Sequence, residues 1–135
     1  MFDFWKRRTA RNQAVINSRA WKQDPLLQDC FRALRGCFTV AVPDQREAVE
    51  AVVAIARTED SWPAVDTVPP EFLTGECFVL WDREGLPVLH CAAAPALQQL
   101  GSLSAAARET FLVSEGLDRI VHVGMQNQIR LYSVS

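Results

Sequence analysis

His90 and Cys91 are the one place in the chain where a histidine and a thiol nucleophile stand side by side. A histidine activates a thiol by taking its proton, so the chemistry such residues could do is Cys/His-dependent hydrolysis. Their adjacency works against it. The run Leu86-Pro87-Val88-Leu89-His90-Cys91 reads as a strand, and successive strand side chains point to opposite faces of a sheet. His122, the other histidine, is the base that cross-strand pairing can bring towards either residue. No sequence-local group supplies an oxyanion hole or a third orienting side chain. The four cysteines, Cys30, Cys37, Cys77 and Cys91, form no C-x-x-C pair, so neither a zinc knuckle nor a thioredoxin-like motif can be assembled, and no metal or cofactor is expected. Phosphate-cradling glycine motifs and the G-x-S-x-G hydrolase elbow are absent from the sequence. The carboxylates are scattered: Asp82 and Glu84 flank a turn, Glu47 and Glu50 lie on a helix face, and Asp66 and Glu71 sit in an irregular segment.

The elements that must position these residues are marked by local signals. Asp24 followed by Pro25 is an N-cap with proline at the first helical position, Leu27, Cys30, Phe31 and Leu34 form an apolar stripe, and Gly36 ends the helix. Cys37-Phe38-Thr39-Val40-Ala41-Val42, closed by Pro43, reads as a short buried strand. Asp44 and Glu47 make a capping-box pattern for a second helix, with Val49, Val52, Val53 and Ala56 on its stripe. Residues 58–75 lose periodicity at Pro63, Pro69, Pro70 and Gly75. From Glu76 the period becomes two, and Cys77-Phe78-Val79-Leu80-Trp81 with residues 86–91 predicts a hairpin. Pro87 makes the second strand an edge strand or lies at its start. Pro95 opens a helical turn that Gly101 ends, and residues 104–115, between Ser104 and Gly116, read as a further helix. A second hairpin, over residues 119–134, closes the chain. Leu27, Phe31, Leu34, Val40, Val49, Val52, Val53, Phe78, Leu80, Val88, Ile120 and Leu131 are expected to form one core.

Helices and hairpins that interleave without β-α-β alternation predict an α+β domain. Its expected architecture is a single antiparallel or mixed sheet of about five strands, with helices packed mainly on one face. At 135 residues and 49% hydrophobic content, one domain can close without disulfides or metal. Residues 1–23 form a basic arm or helix with net charge +5, and residues 24–135 form the domain, with net charge −7. An acidic body argues against nucleic-acid binding, which rests on phosphate neutralisation by clustered bases. Phe2, Phe4 and Trp5 beside Lys6, Arg7 and Arg8 give the arm two readings: aromatics docked on the core, or an interfacial membrane anchor. The cysteines sit in apolar segments, as free thiols of a reducing compartment do, and a cytoplasmic location is expected. Residues 85–107 carry no Asp, Glu, Lys or Arg, but Pro87, His90, Pro95, Gln98 and Gln99 make them a strand followed by short helices rather than a membrane span.

One resemblance rests on three segments. Asp24-Pro25 and Phe31-Arg32-Ala33-Leu34 lead into Phe38-Thr39-Val40-Ala41-Val42-Pro43. Glu84-Gly85-Leu86-Pro87-Val88-Leu89 leads to Ala96-Leu97-Gln98-Gln99-Leu100. Thr110-Phe111-Leu112 precedes Ile120-Val121-His122-Val123. Over about residues 24–131 this order resembles the N-terminal domain of the SseB family of small bacterial proteins. His90-Cys91-Ala92 stands where that family has Phe-Thr-Ser, Val123-Gly124 stands where it has Asn-Pro, and the helix from Asp44 is an insertion. The resemblance implies an α+β interaction domain and transfers no catalytic residue.

The resulting expectation is a non-enzymatic protein-binding domain of a bacterial cytoplasm, such as an adaptor, a secretion chaperone or a toxin-neutralising immunity protein. Its partner would be another protein, a basic one by charge, with a homodimer also open. The alternatives are a small Cys/His-dependent enzyme and a membrane-peripheral protein docked by the N-terminal arm. The expected partner-binding residues are Trp62, Asp66 and Glu71 in the irregular segment and Asp82, Arg83 and Glu84 at the hairpin tip. Loops on a rigid sheet present side chains without disturbing the core, acidic groups steer a basic partner, and Trp62 adds apolar area.

Overall fold

The computed structural model describes residues 24–42, 46–58, 64–83, 86–124 and 127–133. The readings made for the arm at 1–23 and for Asp44, Trp62 and Glu84 lie outside the described residues. The first helix, α1 (Pro25–Ala33), starts as its sequence dictates: the Asp24 carboxylate accepts the Leu27 N–H at 3.1 Å, and Pro25 occupies the first turn, where its missing N–H costs nothing. Arg35 and Gly36 then turn left-handed, with φ of 56° and 70°, and close the helix. Next come β1 (Phe38–Val42) and α2 (Arg46–Thr58), followed by the two-residue strand β2 (Ala64–Val65) and a 3-10 turn at Pro70–Phe72. The hairpin strands β3 (Glu76–Trp81) and β4 (Val88–Ala92) lead to the short helices α3 (Ala93–Gln98) and α4 (Leu100–Ser104). The chain then runs through β5 (Thr110–Ser114), β6 (Arg119–Val123) and β7 (Ile129–Ser133).

The fold is α+β, with one seven-stranded sheet rather than one of about five strands. Its order is β1-β4-β3-β5-β6-β7-β2, and every neighbouring pair is antiparallel. The two unexpected strands have separate causes. β2 is too short to carry a period. β5 falls where a helix was expected over residues 104–115; all five of its residues are buried because it is central and covered on both faces. Such a strand shows a continuous apolar run without alternation, which periodicity alone cannot tell from a buried helix. Gly101 lies inside α4 and ends nothing. Pro87 precedes β4, and β4 is interior, between β1 and β3, so the proline removes no ladder hydrogen bond.

The expected single core is two cores, one on each face of the sheet. Strand alternation divides them: Cys77, Val79 and Trp81 of β3 face α1, α3 and α4, while Phe78 and Leu80 face α2. Leu27, Leu34 and Val40 belong to the first core, with Phe31 and Leu131 half-buried at its margin. Val49, Val52, Phe78, Leu80, Val88 and Ile120 belong to the second; the Val53 side chain is outside the described residues. Three of the four described helices thus lie on one face. Residues 66–75 complete that face as a strap, because β2 points this segment away from Glu71 and it must return across the sheet; on the way Val68 and Phe72 pack on the core and Leu73 is buried. Among the described residues, no helix is long and apolar enough to cross a membrane.

Candidate functional site

The residues with catalytic potential are held apart by the pleat. Cys91 is buried in the core beneath α3, while the His90 ring lies on the other face, 5.0 Å from the Phe78 ring. His122 shares that other face, stacked on Phe111 at 4.7 Å. The order β4-β3-β5-β6 puts it three strands from His90, about 14 Å at sheet spacing. Burial holds the His122 imidazole below its ordinary range; the Glu109 carboxylate, 3.4 Å from Nε2, pulls the other way. The Glu115 carboxylate accepts from His90 Nε2 at 2.9 Å. The cross-strand partner of His90 is Thr39, so a hydroxyl and an imidazole share one row, with the Glu115 carboxylate reaching the imidazole from beyond the end of β5. The row does not assemble a triad, since the Thr39 hydroxyl is buried and makes no hydrogen bond among the described residues.

The thiols are placed by the same alternation. Cys77 and Cys91 are cross-strand partners, and the thiol of Cys77 donates to the sulfur of Cys91; that hydrogen bond and burial together raise Cys77, while the same hydrogen bond lowers Cys91 against the opposing effect of burial. Cys30 is pushed up to about 11 by burial and by nearby Asp29 and Asp24, and its thiol lies 3.6 Å from the Ser102 carbonyl. Cys37 departs from the expectation that every cysteine is interior: it is exposed in the link between α1 and β1. All four are free thiols. Among the described residues no group of three or more His, Cys, Asp or Glu side chains is gathered to hold a metal.

The expected partner-binding residues do not form one patch. Asp82 is exposed where β3 ends, and Asp66 is exposed beyond β2, four strand spacings away, about 19 Å. Arg83 is not a free tip: its guanidinium pairs with the Asp24 carboxylate and donates to the Ala106 carbonyl at 3.2 Å, tying the hairpin connection to the start of α1. Glu71 is at the opposite end of the sheet from Asp82, roughly the length of β3, or about 17 Å, away.

At the Glu71 end a different group gathers. Glu76 begins β3, Glu115 follows β5, and Asp118 precedes β6, all exposed. The β5–β6 turn is pinned by Ser114, whose hydroxyl donates to Asp118 Oδ1 at 2.8 Å and accepts from the N–H groups of Asp118 and Arg119 at 3.1 and 3.0 Å. Leu117 takes a φ of 63° to close it. Arg119 reaches back to the strap, donating to the carbonyls of Glu71 and Phe72 at 3.3 and 3.0 Å with its guanidinium carbon 5.3 Å from the centre of the Phe72 ring. Between them lies a polar hollow of about 360 Å³ that meets three carboxylates, Glu71, Glu115 and Asp118, and one guanidinium, Arg119. On the other side of the strap is an apolar hollow of about 460 Å³ between Val68, Pro70 and Leu73 and the α3 residues Ala94 and Leu97. Of this end only Glu71 was legible beforehand. Glu76, Glu115, Asp118 and Arg119 were missed because the strand that gathers them, β5, reads as helix in the sequence. No protein-family model matches the chain, and no curated protein matches its sequence.

Proposed function

We propose that this chain is a non-enzymatic protein-binding domain, an adaptor, secretion chaperone or toxin-neutralising immunity protein of a bacterial cytoplasm, with a basic protein as its partner. The observation that carries the reading is the gathering of exposed Glu71, Glu76, Glu115 and Asp118 at one end of the sheet. Carboxylates fixed on strand ends and a pinned turn keep their spacing, so their field steers a basic surface without a cost for ordering loops. The resemblance of the element order to the SseB N-terminal domain points to the same class. A Cys/His enzyme draws less support, because His90 and Cys91 occupy opposite faces and the Cys91 thiol is interior.

The test is to capture the partner with immobilised protein, purify it and follow association at low and high salt. Glu71→Lys combined with Glu115→Lys should slow association by about tenfold or more at low salt, with the gap closing as salt screens the charges. An association rate indifferent to both salt and charge reversal would overturn the reading.

A further inference from the structure

The apolar and acidic hollows are two halves of one surface. Thr74 lines both, so they meet across the width of a single residue of the strap. The apolar half, at about 460 Å³, has room for a large aliphatic or aromatic side chain, and its size is within the range of small-ligand pockets. The acidic half sets three carboxylates against one guanidinium, and that guanidinium is committed to the Glu71 and Phe72 carbonyls. Charge complementarity therefore selects the neighbour of the apolar group: a cation. In an extended segment, side chains two residues apart point the same way and lie about 7 Å from each other, so such a pair can enter two hollows that adjoin at Thr74.

Building on the protein-binding reading, we infer that this cleft takes an extended segment of the partner in which an aliphatic or aromatic side chain stands two residues before or after a lysine or arginine. The apolar side chain fills the hollow between the strap and α3. The cation sits among Glu71, Glu115 and Asp118. Specificity comes from needing both, since the apolar half alone cannot distinguish partners and the acidic half alone attracts any base.

The probes are blocked pentapeptides: Gly-Leu-Ser-Arg-Gly, Gly-Ser-Ser-Arg-Gly without the apolar group, and Gly-Leu-Ser-Ser-Gly without the cation. Affinity is read by titration with amide chemical shifts of the full chain. The complete probe should bind about tenfold or more tightly than either truncated one and shift Thr74, Gly75 and Leu97. Ala94→Trp, at an exposed position lining the apolar hollow, should erase the advantage given by leucine while leaving the arginine-only peptide unchanged. Glu71→Gln should erase the advantage given by arginine. Equal binding of the complete and arginine-only peptides would overturn the bipartite cleft and leave the basic-partner reading standing. Equal binding of the complete and leucine-only peptides would overturn the cleft and count against a basic partner as well. No binding of any probe at millimolar concentration would also overturn the cleft, while the salt dependence of the captured partner's association still decides the broader reading separately.

Discussion

On one face of the sheet α1, α3, α4 and the strap converge on Trp81, Leu103 and Leu112, whereas on the other α2 is the one described helix and covers Phe78, Leu80 and Phe111. A helix with its side chains is about 10–12 Å across, and seven strands span about 29 Å, so among the described residues α2 covers less than half of the width of its face. The difference shows in which polar groups each face keeps. The broadly covered face holds thiols and a tryptophan whose indole N–H donates to the Leu103 carbonyl at 2.8 Å. The α2 face keeps half-buried polar residues at its margins, Thr39 and His90 on one side, His122, Arg130 and Tyr132 on the other. Two concave surfaces among the described residues lie beside the strap, which leaves open the space next to α3 and next to the β5–β6 turn.

The comparison breaks most readily at Trp81. Trp81→Ala removes a fully buried ring together with its hydrogen bond and should cost about 3–5 kcal/mol in denaturant unfolding. Val52→Ala, at a fully buried position of α2, removes two carbons and should cost about 1.5–2 kcal/mol. Equal losses at the two sites would show that the faces are not packed differently. A second, smaller effect concerns how the broad face is anchored. Asp24 both caps α1 and pairs with Arg83, so Asp24→Ala should lose about 1–2 kcal/mol and Arg83→Ala, which leaves the cap, about 0.5–1 kcal/mol. A greater loss at Arg83 than at Asp24 would mean that the tie to the hairpin, and not the cap, holds the helix.

The smallest expected effect belongs to the α2 face and depends on pH. His122 resists protonation in the folded chain because it is buried on Phe111, so the unfolded chain binds its proton first as pH falls below the ordinary histidine range. Stability therefore decreases on acidification, beginning near pH 6.5 and continuing until the folded imidazole also protonates. Melting temperatures measured between pH 7.5 and pH 5 should show that slope in the parent protein, and His122→Phe should flatten it. An unchanged slope would place the acid sensitivity elsewhere.

Local chemistry by itself determined α1, from its Asp24-Pro25 start to its Gly36 stop, and both hairpins, because caps, glycines and a period of two act through neighbours in the chain. It also determined that His90 and Cys91 part company, since alternation in a strand needs no knowledge of its partners. The Glu71 end was beyond its reach. Glu71, Glu76, Glu115 and Asp118 become neighbours only when β5 enters the sheet between β3 and β6. Thr110-Phe111-Leu112-Val113-Ser114 does so because each of its sides finds an apolar layer to enter. Local propensity cannot register such a choice: whether an unbroken apolar run is strand or helix is decided by burial on both faces, and burial is a property of the assembled chain.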